Sequence, residues 1–161
     1  MSQDVLDLCS GFPQHDFDAG EELLAQGPGT GRLFVLIRGS VEIRRDGVAV
    51  ATVSQPGSFL GEIAALLGRG HTASVVALEP TGAHVVHDAA RAVVERPALL
   101  LAVARVLALR LDAMTGYLAD LSRTYGGEDG HLAVVHTVLG ELMTIRPLSV
   151  EPGSERDVPD Y

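Results

Sequence analysis

Tryptophan is absent from this 161-residue chain, aromatic residues amount to 4%, and cysteine occurs once, at Cys9. A lone cysteine excludes an internal disulfide and a cysteine metal cluster, which points to a reducing compartment and leaves Cys9 as a small apolar residue. The scarcity of aromatics assigns the core to Leu, Val, Ile and Ala. No apolar run approaches the roughly 20 residues that span a bilayer. The N-terminal MSQDVLDLCSGFP lacks both the basic flank and the long apolar centre of a signal peptide. The expectation is a cytoplasmic protein with no membrane partner. Positive charge is also in deficit, with 12 basic against 21 acidic residues and a net charge of −9. Nucleic-acid and anionic-lipid affinity comes from cations neutralising phosphates, so these partners are disfavoured. No Ser-His-Asp, HExxH or Cys-His grouping is present, so no catalytic residue is assigned and an enzyme is discounted. His84 with His87, and His131 with His136, lack metal-ligand geometry and read as structural or exposed, so no metal site is assigned. What is present, 47% hydrophobic and 20% charged residues, fits one globular domain able to bury a core unaided.

Residues 12–88 read as β structure, with short apolar stretches punctuated by Gly, Pro and Asp: RLFVLI, RGSVEIRR, VAVATV, SQPG. In SVEIRRDGVAVATV, Val41 and Ile43 alternate with Glu42 and Arg44, and Asp46-Gly47 supplies the positive-φ pair of a tight hairpin turn. SVVALE and AHVVHD read as a further strand pair around Pro80 and Gly82. The spacing suggests a small barrel or jelly roll. After Asp88 the period becomes helical, with Asp88 placed as an N-cap and Pro97 in the first turn of a second, long helix. Along that helix Leu100, Val103, Leu107, Leu111, Met114, Leu118 and Leu121 form a stripe that either lies on the barrel or pairs with a second chain. GGEDG at 126–130 breaks it. Residues 126–145 are expected to hold one more short helix, and 146–161, with three of the eight prolines, to be an unstructured tail.

GSFLGEIAALLGRGHTASV, 57–75, carries the chemistry. A strand ends near Pro56-Gly57, a short helical turn is expected to carry Ile63, Ala64, Leu66 and Leu67 inward, and a Gly-rich loop returns to a strand at Ala73. Backbone N–H groups at the start of such a turn make an anion cradle, and glycines let the chain approach a phosphate closely. Glu62 within the cradle repels phosphate but accepts hydrogen bonds from hydroxyls, as an acid does with a ribose. The combination suits a sugar beside a phosphate.

The order Gly-x-Phe-x-Gly-Glu-Ile-Ala, followed nine residues after the acid by a polar residue and Thr-Ala-Ser-Val, resembles the phosphate-binding cassette of cyclic nucleotide-binding domains. That family includes the catabolite activator protein, kinase regulatory subunits and cyclic-nucleotide-gated channels. FDAGEELLAQG and LFVLIRGSVEI resemble the strands that precede the cassette, so the similarity covers roughly residues 12–123. The resemblance implies a mainly β fold, an eight-stranded β-roll with flanking helices and a long C-terminal helix closing over the base, within a domain of 1–125. It places Glu62 on the ribose 2′-OH, Gly61 and Ile63 where backbone frames the ligand, and Thr72 and Ala73 beside the phosphate. Thr115 lies where members reach the base. His71 stands where ligand-binding members carry an arginine paired with the phosphate.

Arginine is permanently charged and grips phosphate through two parallel hydrogen bonds, whereas histidine directs one donor and is mostly neutral at pH 7. Losing a charge-assisted bond worth about 1.5–3 kcal/mol weakens binding roughly ten- to a hundredfold. Two compensations are open: Arg69, between Gly68 and Gly70, swings to the phosphate, or the ligand protonates His71. The expected function is a module sensing cAMP or cGMP, with no other cofactor, signalling by helix movement to an unnamed protein partner or across a homodimer formed through the long helix. The alternative is a degenerate module that has lost nucleotide affinity and serves in dimerisation or protein interaction. Bacterial relatives attach a winged helix-turn-helix after the long helix. Residues 126–161, with two arginines and no lysine, do not suit that module, so direct DNA binding is not expected.

Overall fold

A computed structural model describes residues 2–125. The expected short helix in 126–145, the tail, His131 and His136 lie outside that range. The chain divides into two compact units, the first Met1–Ala108 and the second beginning at Leu109. In chain order the elements are α1 (Ser2–Cys9), β1 (Gln14–Phe17), β2 (Glu22–Leu24), β3 (Leu33–Arg38), β4 (Val41–Arg45), β5 (Val48–Val53) and β6 (Phe59–Leu60). They are followed by α2 (Glu62–Leu67), β7 (Ser74–Ala77), β8 (Thr81–Val86), α3 (Ala89–Glu95) and α4 (Pro97–Tyr125).

The eight strands form two four-stranded antiparallel sheets, ordered β1-β8-β3-β6 and β2-β7-β4-β5. This is the mainly β roll with flanking helices and a long C-terminal helix that the sequence implied. RLFVLI is apolar without alternation because β3 is covered on both faces. Phe34 and Leu36 point into the roll with Phe17, Leu60, Val85 and, from the second sheet, Leu24, Val41 and Val75. Leu33 and Val35 point the other way, with Phe59 and Val86, onto Val5 and Cys9 of α1, Ala89 and Val93 of α3, and Leu99 and Val103 of α4. Cys9 is fully buried in that layer, and burial pushes its thiol up to about 11, as befits a packing residue.

The β4–β5 hairpin has the expected register, Arg45 opposite Val48. Asp46 at φ 52° and Gly47 at φ 79° are the two positive dihedrals a two-residue turn needs to match strand twist. SVVA and TGAHVV are strands but not partners. β7 pairs with β2 and β4, and β8 with β1 and β3, so the two strands lie in different sheets. Asp88 caps α3 by accepting the Arg91 N–H at 3.2 Å, and α4 begins at Pro97, both as read from the sequence.

Two inward faces differ from the sequence reading. In α2, Ala64 is buried while Ile63, Leu66 and Leu67 are exposed, since a six-residue helix flanked by two glycines turns only one narrow face to the roll. On α4 the buried stripe includes Val103 and Leu107 as read, but it begins at Leu99 rather than Leu100. Leu99 is 1% exposed and Leu100 39%, with Val103 buried and Val106 and Leu107 packed alongside. The N-terminal α1 has no counterpart in the sequence reading, its apolar face being only Val5 and Cys9, one turn apart. In the second unit, the α4 residues Leu109, Leu111, Met114 and Tyr117 are exposed. Among the described residues no helix is long and apolar enough to cross a membrane.

The phase of α4 is testable by denaturant unfolding. Leu99→Ala is expected to lower stability by about 2–5 kcal/mol, and Leu100→Ala by about 1 kcal/mol or less. Equal losses would place the wrong face inward.

Candidate functional site

The segment between β6 and β7 is dominated by backbone contacts rather than side chains. β6 ends at Leu60, and Gly61 turns the chain into α2 with φ 92°, a left-handed conformation that favours glycine. The position is also crowded. A Cβ on Gly61 would stand 2.9 Å from Leu24 Cδ1, 3.1 Å from the Arg32 carbonyl oxygen and 3.4 Å from His71 Cε1. Gly61 and His71, nominated separately, thus meet in space. As the cap of α2, Gly61 offers no side-chain acceptor, so the helix's first-turn N–H groups have no capping side chain over them. Glu62 follows directly and is 4% exposed, at the helix end where a carboxylate is favoured. The helix stops at Gly68, also left-handed, whose N–H donates to the Ala64 carbonyl.

His71 is 5% exposed and is tied down by a loop that the sequence reading did not assign to the site, Gly27–Gly31. The Gly27 N–H donates to the His71 carbonyl at 2.9 Å, and the His71 N–H to the Pro28 carbonyl at 3.4 Å. The His71 ring Nε2 lies 2.8 Å from Thr30 Oγ1. The approach is so close that a Cβ on Gly70 would fall on the Gly27 carbonyl oxygen. Gln26 extends the tie: its N–H donates to Ser74 Oγ at 3.0 Å, and its side-chain amide donates to Asp46 Oδ1 at 2.7 Å and accepts the Asp46 N–H at 2.8 Å. The clue for Thr30 was the repetition of Gly-rich segments, GPGTG and GRG, which allow backbones to pack without side chains between them.

Thr72 and Ala73 are half-buried between His71 and β7, and Ile63 and Arg69 are exposed. Thr115 belongs to the second unit, where its hydroxyl donates to the Leu111 carbonyl at 2.7 Å. His84 is buried with Nδ1 3.2 Å from the Phe12 carbonyl, and His87 is exposed. No group of three or more His, Cys, Asp or Glu residues able to hold a metal occurs among the described residues. Two features mark the segment: glycines at 61 and 70 that pack too closely on neighbouring atoms to admit a side chain, and a buried ring atom, His71 Nδ1, with no hydrogen-bond partner.

Burial lowers the His71 imidazole below its usual value, which opposes its protonation in the ligand-free protein. An unfolded imidazole titrates near 6.5, so between that pH and the lower folded value the unfolded chain binds the extra proton. Stability therefore falls as pH drops through this window. Between pH 7 and pH 5 the melting temperature of the wild type should fall more than that of His71→Gln, and parallel curves would contradict the assignment. Gly70→Ala should destabilise the protein at every pH, since backbone must move to admit the methyl group.

The family model described as cyclic nucleotide-binding domain matches residues 14–96. A cAMP-dependent protein kinase regulatory subunit of Yarrowia lipolytica is 38% identical over 63 residues, 39% of this chain and 16% of that protein. Among solved structures, the Thermus thermophilus catabolite activator protein superposes with TM-score 0.61 at 28% identity, over 74% of this chain and 59% of its own. The N-terminal domain of a transcriptional regulator from Streptomyces coelicolor superposes with TM-score 0.52 at 24% identity, over 69% and 81%. The chain thus spans about a sixth of the curated relative and about three fifths of the Thermus protein.

Proposed function

The chain belongs to the cyclic nucleotide-binding domain family, and we propose that it is a regulatory module that binds cAMP or cGMP in the Gly61–Ala73 cassette and signals through its long helix. The observation that carries this reading is Glu62, a carboxylate buried beside an uncapped glycine turn. A carboxylate accepts several hydrogen bonds through its two oxygens, and ribose hydroxyls are donors of the kind it takes. Gly61 and Ile63 frame the sugar with backbone groups, and Thr72 and Ala73 flank the cyclic phosphate. Arg69, exposed and set between two glycines, is the mobile cation nearest in sequence to the phosphate seat. Thr115 is the proposed contact to the base.

Ligand contacts that differ between two positions of α4 shift their populations, and the output passes to a protein partner or a second copy of the chain. The exposed Leu111 and Met114 support pairing along the helix, and the net charge of −9 favours a protein over nucleic acid as the receiver. A second reading, a roll that no longer binds nucleotides and acts in dimerisation or protein interaction, is favoured by His71. Its ring is buried and held by Thr30 where an arginine would project freely.

Thermal shift and calorimetry with cAMP and cGMP separate the two. A ligand of the folded state raises the melting temperature by mass action. The sensor reading expects a response from the wild type, binding weakened about ten- to a hundredfold by Glu62→Gln, and a gain of similar size in His71→Arg. A response confined to His71→Arg supports the second reading.

A further inference from the structure

We propose that Thr30 is a positioning residue of the ligand site: its hydroxyl oxygen accepts the His71 Nε2–H, which reserves the buried Nδ1 as the one vacant acceptor of the ring. The inference rests on the reading that the cassette binds a cyclic nucleotide, and it names the atom through which His71 takes part.

The contact of 2.8 Å between Thr30 Oγ1 and His71 Nε2 fits either direction of donation, so the surroundings decide. Thr30 lies on the exposed loop, where its hydroxyl hydrogen has water to bond. Its oxygen, with two lone pairs, already accepts the Arg32 N–H at 3.2 Å and has one lone pair left for the ring. Nδ1 has no such recourse, being buried and without a partner. A buried N–H left without an acceptor is the rarer fault in native proteins, and a bare acceptor the more tolerable one. The hydrogen therefore sits on Nε2, facing Thr30, and Nδ1 carries a lone pair.

A lone pair repels phosphate oxygen, so Nδ1 meets a cyclic phosphate only by taking a proton from solvent. The ring then becomes an imidazolium whose Nε2–H stays on Thr30 and whose new Nδ1–H donates to the ligand. One proton enters per ligand, the phosphodiester keeps its charge, and no bond breaks. The ionisable groups on the segments around the ring are Glu62 on α2, Arg69 in the preceding loop and Arg32 beyond Thr30. None of them adds to the effect of burial on the free imidazole, and the anion itself supplies the drive for protonation. Carbon Cε1, bonded to both ring nitrogens, is the His71 atom nearest a Cβ placed on Gly61, which sets the ring beside the turn where the phosphate is proposed to sit.

The test reads the ring directly, by ¹⁵N NMR of the imidazole nitrogens in the ligand-free protein at pH 8. The wild type and Thr30→Ser should show His71 as the Nε2–H tautomer, and Thr30→Val, which keeps the shape and loses the acceptor, should show a mixture of tautomers. A wild-type Nδ1–H tautomer, or a Val variant identical to wild type, overturns the proposal. Calorimetry with cAMP and with cGMP at pH 7.5, in two buffers of different ionisation enthalpy, should give an uptake approaching one proton per ligand in the wild type and less in Thr30→Val. Binding without proton uptake also overturns it. Absence of binding by both nucleotides, with the tautomers as expected, contradicts the binding reading and leaves the hold of Thr30 on His71 supported.

Discussion

Strands β8, β3 and β6 of the sheet β1-β8-β3-β6 are buried on both faces, and that constraint organises the first unit. One face must meet the second sheet, which makes the roll, and the other must be covered by α1, α3 and the start of α4. Each buried Val, Leu or Phe contributes about 1.5–3 kcal/mol relative to exposure, so neither layer can peel away cheaply. With β3 and β6 fixed in the sheet, the chain leaving β6 at Leu60 has to turn sharply to reach β7 in the other sheet. The cassette is that connection, and its glycines are consequences of how little room the two sheets leave.

The site inherits its character from backbone packed on backbone. Gly70 passes against Gly27, Gly61 against Leu24, Arg32 and the His71 ring, and the 26–31 loop runs outside the cassette and ties it to the β4–β5 turn through Gln26. Arrangements of this kind hold donors in place before a ligand arrives, which lowers the ordering cost of binding. The same packing anchors His71, through Thr30 and two main-chain hydrogen bonds. The same anchoring buries it, and burial holds its imidazole below its usual value.

Much of this was legible before any coordinates. The Asp46-Gly47 turn was readable because only a few residue pairs accept two positive φ angles in succession, and the family because Gly-Glu-Ile-Ala followed by Thr-Ala-Ser-Val resembles the order of its members. The Asp88 cap and the Pro97 helix start followed from local chemistry alone. The partner of β7 was not readable, since strand pairing between sheets is a long-range matter that a turn signal at Pro80 cannot report. The face of α2 was misread because six residues give no helical period to analyse, and the first buried residue of α4 was taken as Leu100 instead of Leu99 because Leu99, Leu100 and Leu101 are identical in chemistry. Thr30 was missed because it lies 41 positions from His71 and its role exists only once the two Gly-rich loops are stacked.

The central claim is that the Gly61–Ala73 segment receives a cyclic nucleotide, with Glu62 on the sugar and the neighbouring amides on the phosphate. Two-dimensional ¹H–¹⁵N NMR during titration with cAMP and cGMP tests it most directly. The account predicts saturable amide shifts that are largest at Gly61, Glu62, Ile63, Thr72 and Ala73 and abolished at Thr72 and Ala73 by Glu62→Gln at the same ligand concentration. Spectra unchanged at millimolar nucleotide, or shifts that saturate elsewhere on the roll, would contradict it.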